Sequence, residues 1–429
     1  MLVKMEKLKQ AQPTGTSICV PLYKFLKYVG VFPCSFEFHP VPKGFDGVLP
    51  LRKIYAEPSG KFVLLCKLVL FTHCMHSLFQ AFQLFWNLVI LKEDFGTIMS
   101  LVAWCGTSML GLLVALKHYK DRDSICAWMT DINALEEEIY EKYRNHGNHV
   151  STYVVRHTRE FHRIRRNIFV FSIIASAVIG MKHLQEPRSP VFLYSLLPSH
   201  FENWVLLGCS VAFHAAIMVY DLFFTVQLVA GCMNICRIFE SCLTLMVSPD
   251  KDKSGFELLL EMDDALGYNK RLGELMDGAN KIYAWLIALQ MGGYSVLCCI
   301  VAFLPIHYWN STSPLGLLGY VFLFIAVIFI FCRVFPEMGS VYDASKSFKI
   351  AWLRELAYSR DALRLVVEHE KYFKLLRLRV KSCVEFGFKC GNFVFIKTST
   401  MLSFFSVIST YLIILLQFTR SAGYGRDKD

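Results

Sequence analysis

The side chains best able to do chemistry in this sequence are polar and aromatic residues set inside long apolar runs. Gln83, Trp86 and Asn87 fall in one such run, Trp104 and Thr107 in the next, His214 and Asp221 in a third, and Gln290 and Tyr294 in a fourth. A polar side chain inside an apolar span faces the protein interior or a water-filled cavity, where it either pairs with a neighbouring helix or binds a guest. Taken together, Gln83, Trp86, Trp104, Thr107, His214, Gln290 and Tyr294 supply aromatic walls and a few hydrogen-bonding groups, the lining expected for a small amphipathic molecule. Asp221 lies deeper in its run and, if ionised, requires a partner that the sequence does not identify. A second constellation occupies the last apolar run, where Thr410, Ile414 and Gln417 recur at i, i+4 and i+7 on one face of a Leu- and Ile-rich helix. Such a stripe suits the wall of an ion pathway; the alternative is that Gln417 hydrogen-bonds a neighbouring helix.

Catalysis is not expected. The sequence contains no G-x-x-x-x-G-K-[ST], no H-E-x-x-H and no G-x-S-x-G. His73 and His76 bring two imidazoles together at i, i+3, but two ligands without a third make a poor metal site, so neither a metal nor a cofactor is expected.

The elements that must position these residues are membrane helices. A chain of 429 residues that is 54% hydrophobic, with 36 Phe and a mean hydropathy of +0.40, is too apolar for a soluble protein. We expect an all-α, polytopic membrane protein with seven transmembrane helices. The net charge of +10 does not point to nucleic acid, because the basic residues lie between apolar runs and report topology instead. The fifteen cysteines sit within helices or on one side of the membrane, so reduced thiols and no disulfide framework are expected.

In chain order, residues 1–60 form a segment without a cleavable signal pattern, with an amphipathic stretch from Leu22 to Val31 expected to lie against the inner membrane face. The first two helices cover about 62–91 and 95–116, joined by the tight Lys92-Glu93-Asp94. A charged loop, 117–166, leads to a third helix at about 167–181, and the fourth starts near Trp204 and persists to about 236, longer than a membrane needs. A turn and an acidic amphipathic segment, 237–281, precede helices five and six at about 282–304 and 315–332, with Phe335-Pro336 marking a break. Residues 333–390 are again helical and charged, and the last helix spans about 391–418, ahead of a tail at 419–429. At roughly 1.5 Å per residue, the run from 393 to 418 reaches about 39 Å, enough to cross ~30 Å of hydrocarbon.

Counting Lys and Arg orients the chain. Segments 1–61, 117–166, 237–281 and 333–397 hold 38, whereas the remaining connections and the tail hold 6. Under the positive-inside rule this places the N-terminus in the cytosol and the C-terminus outside, opposite to a G-protein-coupled receptor. Asn310-Ser311-Thr312 then lies on the glycosylated side.

The last helix closes on Thr410-Tyr411, five apolar residues, then Gln417-Phe418, which resembles the TYhhhhhQF signature of insect gustatory receptors in order, spacing and location. Gly30-Val31-Phe32-Pro33 resembles a short motif of that family ahead of the first helix, and Gly391 with Phe393 resembles its approach to the last one. The resemblance in architecture covers the whole chain; in residues it covers about a tenth. It implies a tastant-gated, non-selective cation channel in the plasma membrane of sensory neurons. Helix seven of four subunits would form the pore, lined by Thr410, Ile414, Gln417 and Phe418, and the cytosolic helical extensions would pack into an anchor domain. The implied partners are a small-molecule tastant, permeant Na, K and Ca ions, membrane lipid, and three further subunits in a homotetramer or heteromer, with no nucleic acid. Leu412 stands where sugar-sensing members often carry an acid, which disfavours the ordinary sweet class. A seven-helix chemoreceptor signalling through a partner protein is the alternative, and a secondary transporter is a third reading that lacks paired broken helices.

Overall fold

A computed structural model describes residues 14–40, 49–93, 95–143, 159, 163, 166–167, 170–171, 173–198, 203–247, 255–307, 314–358 and 370–424. Ten helices and two small hairpins carry the description. They are α1 (Gly15–Tyr28), β1 (Cys34–Phe38), β2 (Leu51–Ala56), α2 (Lys61–Phe85), α3 (Phe95–Lys120), α4 (Arg122–Lys142), α5 (173–185), α6 (Trp204–Val247), α7 (Gly255–His307), α8 (Pro314–Tyr358), α9 (Glu370–Ser382), β3 (Lys389–Cys390), β4 (Val394–Phe395) and α10 (Thr400–Tyr424). Among the described residues, six helices are long and apolar enough to cross a membrane: α2 with the π-helical turn Trp86–Leu91 that extends it, α3, α6, α7, α8 and α10. The seventh expected span corresponds to α5 and residues before it, many of which lie outside the described set, as do Asn310 and most of 144–172.

The three longest helices determine the architecture. At about 1.5 Å per residue, 44-, 53- and 45-residue helices reach far beyond ~30 Å of hydrocarbon. Their excess lengths pack with α1, α4 and α9 into a base. There Phe239, Cys236 and Cys242 of α6, Leu272 and Met276 of α7, and Phe348 and Trp352 of α8 are almost fully buried in the core that continues into the apolar half. Ion pairs brace the base, Arg237 with Glu337 at 3.1 Å largely within it and Lys142 with Asp264 at 2.6 Å on its outside.

Several boundaries differ from those read in the sequence. The acidic segment before helix five is not a separate element: α7 runs unbroken from Gly255 to His307. Phe335-Pro336 does not break helix six, since α8 continues through Pro336 to Tyr358. A proline inside a helix removes one hydrogen bond at a cost of ~3 kcal/mol, which is offset here by burial of Phe335, Met338 and Val341 on either side. The amphipathic N-terminal stretch buries one face in the core and leaves Phe25 and Tyr28 exposed on the other. It begins seven residues earlier than expected, capped by Thr14, whose side chain accepts from Ser17 N, and buries Ile18, Leu22 and Leu26 in the core against α4 and α6. The β1–β2 hairpin that follows was not expected either; its inner edge is satisfied by α4, with Thr130 Oγ accepting from Ile54 N at 3.0 Å and Asn133 Nδ2 donating to Leu51 O at 2.9 Å.

The last helix begins at Thr400 rather than near Gly391, because residues 389–395 form the β3–β4 hairpin, with Gly391 in the left-handed region at φ +59°. The side chain of Asn280 on α7 clamps this hairpin, donating to Gly387 O at 3.0 Å and accepting from Lys389 N at 2.9 Å, while Gly391 N donates to Ala284 O. Gly339 on α8 lets the chain at Lys397-Thr398 pass against it, since a Cβ there would overlap that backbone.

Candidate functional site

Helices α3, α5, α6 and α8, with Phe171 just ahead of α5, line a partly open cavity of about 100 Å³. Trp104 and Thr107 of α3 form one wall, Met218 and Leu222 of α6 another, Val178 and Lys182 of α5 a third, and Gly319, Tyr320 and Phe322 of α8 the fourth. Phe171 and Phe322 stack with centroids 4.2 Å apart. The wall's hydroxyls are spent within the protein. Thr107 Oγ donates to the carbonyls of Ala103 and Trp104, both at 3.0 Å, and Tyr320 OH donates to Ser100 Oγ at 3.1 Å. The chamber is therefore apolar, suited to a small apolar or aromatic guest.

A buried polar network joins α2, α3 and α6. His73 Nε2 lies 3.0 Å from Asp221 Oδ1 and 3.3 Å from Ser108 O, so Asp221 finds in His73 the partner that the sequence left open. Gly111 makes the approach possible, because a Cβ at that position would overlap the Asp221 carboxylate. Ser108 Oγ is shared between Ser77 Oγ at 2.8 Å and His76 Nδ1 at 3.3 Å, and Gln80 Nε2 donates to Val191 O at 2.7 Å. His214 is fixed by Ser210 O at 2.8 Å and packs edge-on against the rings of His76, His183 and Phe192. Among the described residues, no group of three or more His, Cys, Asp or Glu is arranged to hold a metal ion.

Of the seven side chains expected around a ligand, Trp104 and Thr107 line the cavity and the others do not. Gln83 accepts from Asn87 within α2, and Trp86 is exposed on the outside, stacked on Phe82. His214 belongs to the polar network; Tyr294 OH meets Thr225 Oγ at 3.1 Å; and Gln290 is buried, its Nε2 without a hydrogen-bond partner among the described residues. Polarity alone separates poorly between helix-to-helix hydrogen bonding and ligand contact. The lining residues that polarity missed, Met218, Leu222, Val178 and Gly319, look like ordinary membrane-helix residues, and only Lys182 at the end of α5 carried a signal.

The last helix presents two distinct faces. Phe404, Ile408, Leu412, Leu415 and Leu416 pack on the core, with Phe404 against Phe331 at 4.3 Å. Thr410, Ile414 and Gln417 are exposed on the opposite side, beside Val407 and Tyr411, and the backbone of Phe418 continues the helix. The stripe read from the sequence therefore faces away from its own subunit.

A family model described as 7tm chemosensory receptor matches residues 20–420. A comparison with curated proteins finds no match. Among solved structures, the chain is similar to the insect olfactory receptor OR5 from Machilis hrabei, with a TM-score of 0.65, 12% identity, and coverage of 93% of this chain and 99% of that one. It is also similar to the same receptor in complex with eugenol, with a TM-score of 0.59, 11% identity, and coverage of 97% and 99%. The match over nearly the whole length, on a bundle of this kind, means that the chain belongs to the 7tm chemosensory receptor family.

Proposed function

We propose that this chain is a subunit of a taste receptor that acts as a ligand-gated, non-selective cation channel, opened by a small molecule in the cavity between α3, α5, α6 and α8. The observation that carries the reading is the outward polar stripe of α10. Thr410 and Gln417 recur on a helix of membrane length, on the face turned away from the rest of the chain, and polar side chains at membrane depth are at home where they line a water-filled path; the Thr410 hydroxyl itself donates to Ser406 O at 2.9 Å. Four such helices around an axis would give a ring of Ile414 that closes by dewetting and a ring of Gln417 amides that offers dipoles to a hydrated Na, K or Ca ion without fixed charge. The assignment to taste rests on the Thr410-Tyr411 and Gln417-Phe418 signature. That OR5 has been seen with eugenol supports a small-molecule ligand here. We further propose that the chain lies in the plasma membrane of sensory neurons with its N-terminus, base and anchor segments in the cytosol, a reading supported by the Lys and Arg distribution, and that Asn310 is a glycosylation site.

Whole-cell recording tests this. Cells expressing the chain should give a ligand-evoked current reversing near 0 mV that persists when G-protein signalling is blocked. Trp104→Ala should shift the dose response about tenfold at unchanged maximal current, and Gln417→Arg in every subunit should abolish cation current at normal surface expression, because four guanidinium groups around a narrow axis repel a passing cation. A normal current through Gln417→Arg would remove α10 from the pore.

A further inference from the structure

Three side chains hold the segment between α5 and α6 down on the bundle. Val191, Phe192 and Tyr194 are buried although they belong to a connection, and Val191 and Phe192 pack with Leu101 of α3 and Ile179 of α5. Gln80 of α2 donates to Val191 O at 2.7 Å, His214 of α6 accepts from Leu193 N at 3.4 Å, and His183 of α5 stacks flat on Phe192 with ring centroids 3.8 Å apart. Trp104 and Met218, which line the cavity, pack against the same cluster.

Both hydrogen bonds require a neutral imidazole. His214 Nδ1 lies 2.8 Å from Ser210 O, a pure acceptor, so the ring proton sits on Nδ1 and Nε2 keeps its lone pair for Leu193 N–H. Gln80 repeats the arrangement. Val191 O demands a donor, which turns the amide with Nε2 toward it, and the second hydrogen of that nitrogen serves His76 Nε2 at 3.4 Å. His76 Nδ1–H then donates to Ser108 Oγ at 3.3 Å. A proton added to His214 Nε2 sets N–H against N–H at Leu193. A proton added to His76 Nε2 favours the reversed amide, whose Oε1 now has no hydrogen-bond partner among the described residues, and that reversal leaves Val191 O without its donor.

The titratable groups around these two rings are mostly other imidazoles. His76 and His183 stand 5.5 and 5.1 Å from His214, centroid to centroid, and behind His76 lies His73, already paired with Asp221 at 3.0 Å. From α3 come the Ser108 hydroxyl and, one turn away, the Cys105 thiol; from the connection comes Tyr194, whose hydroxyl accepts from Asn203 N. Lys182 turns to the Tyr320 ring of α8, and Glu186 and Arg188 are exposed. Apart from Asp221 on His73, no carboxylate among the described residues lies within ion-pair distance of these imidazoles.

We propose that protons are a second ligand of this chain, taken up at His76 and His214, and that their binding releases residues 191–194 from the bundle. Imidazole is the side chain that changes charge between about pH 5 and 8. An imidazolium buried here without a counter-ion is costly, and release of the segment admits water to it. Because the clamped form needs both rings neutral, acid favours the released one. The orientation proposed above puts this end outside the cell, so the stimulus is external acid. The competing role for these histidines is helix-to-helix hydrogen bonding alone, which acid would leave in place.

Hydrogen exchange on the purified full chain reads release without an agonist, so the test does not depend on the cavity being the agonist site. Corrected for the intrinsic effect of pH on exchange, protection of the 191–195 amides should fall about tenfold between about pH 7.5 and about pH 5. Gln offers a donor and an acceptor without titrating, so His76→Gln combined with His214→Gln should hold the protection at both pH values. Gln80→Met should lower it already at the higher pH. Protection of α7 in the base checks folding of the double variant; should that variant fail to fold, His214→Gln alone should narrow the fall to under about threefold. An equal fall in wild type and the Gln variants, or no fall in wild type, overturns the proposal.

Discussion

Glu136 shows how one residue of the base makes the fold sensitive to pH. Its Oε1 accepts from Gly15 N at 2.7 Å, so a carboxylate from α4 satisfies a free N–H at the start of α1, 121 positions away in the chain. Beside it, Thr14 Oγ donates to Asn133 Oδ1 at 2.6 Å. Burial pushes the Glu136 carboxyl up to about 7, against the opposing pull of that backbone N–H. Because the value is raised on folding, the folded state binds the proton more tightly than the unfolded chain. Stability is therefore gained as pH falls through 7 and levels off near the ordinary carboxyl value of 4.5. Between pH 8 and pH 6 the gain is about 1.4 kcal/mol. The thermal midpoint of the purified protein should rise over that interval, and Glu136→Gln, which keeps the acceptor and removes the charge, should flatten the rise. An equal rise in the variant would assign the effect to another group. Glu136→Ala should cost about 1–3 kcal/mol at either pH by orphaning the Gly15 N–H.

At the scale of elements, the piece that joins the base to the last helix is the β3–β4 hairpin, too short to hold its own shape. Two strands of two residues are paired through only Lys389 with Phe395 and Cys390 with Val394, and an isolated hairpin of that length has no independent stability. Asn280 supplies what it lacks, acting with one side-chain amide as both donor and acceptor to the chain on either side of Phe388. Thr398 Oγ donates to Asp343 on α8, so the hairpin and the start of α10 are tied to α7 and α8 together. The connection from α7 and α8 to α10 thus runs through polar contacts rather than through loose chain. Asn280→Leu leaves two backbone groups without partners, and a loss of about 1–3 kcal/mol per buried group is expected. The measurable consequence is a ligand-evoked current reduced severalfold at unchanged surface expression. A wild-type current from Asn280→Leu would show that the clamp has no part in gating.

For the whole molecule, long helices projecting from the apolar half into a charged base divide the chain into two environments, and from the distribution of Lys and Arg we propose that the base is cytosolic. A tag following Asp429 should stain on intact cells, whereas a tag ahead of Met1 should require permeabilisation; the reverse pattern would invert the orientation.

Apolar run length, charge placement and the stripe on the last helix were legible in the sequence because each is a property of local chain. Membrane spans need only ~20 apolar residues in succession, and a helical face is defined by spacing alone. The exceptions are instructive. Pro336 reads locally as a stop, yet packing of Phe335, Met338 and Val341 carries α8 through it. Phe393 reads as the start of a helix, yet Asn280, more than a hundred residues earlier, holds that stretch as a hairpin. Asp221 gains its partner His73 only when α2 and α6 meet across Gly111, and the cavity exists only where α3, α5, α6 and α8 fail to close on one another. Which polar residues are satisfied by neighbours and which face a chamber depends on helix rotation and contact between distant segments. Those are decided by tertiary packing, because every helix here is apolar enough that its own periodicity leaves its orientation in the bundle open.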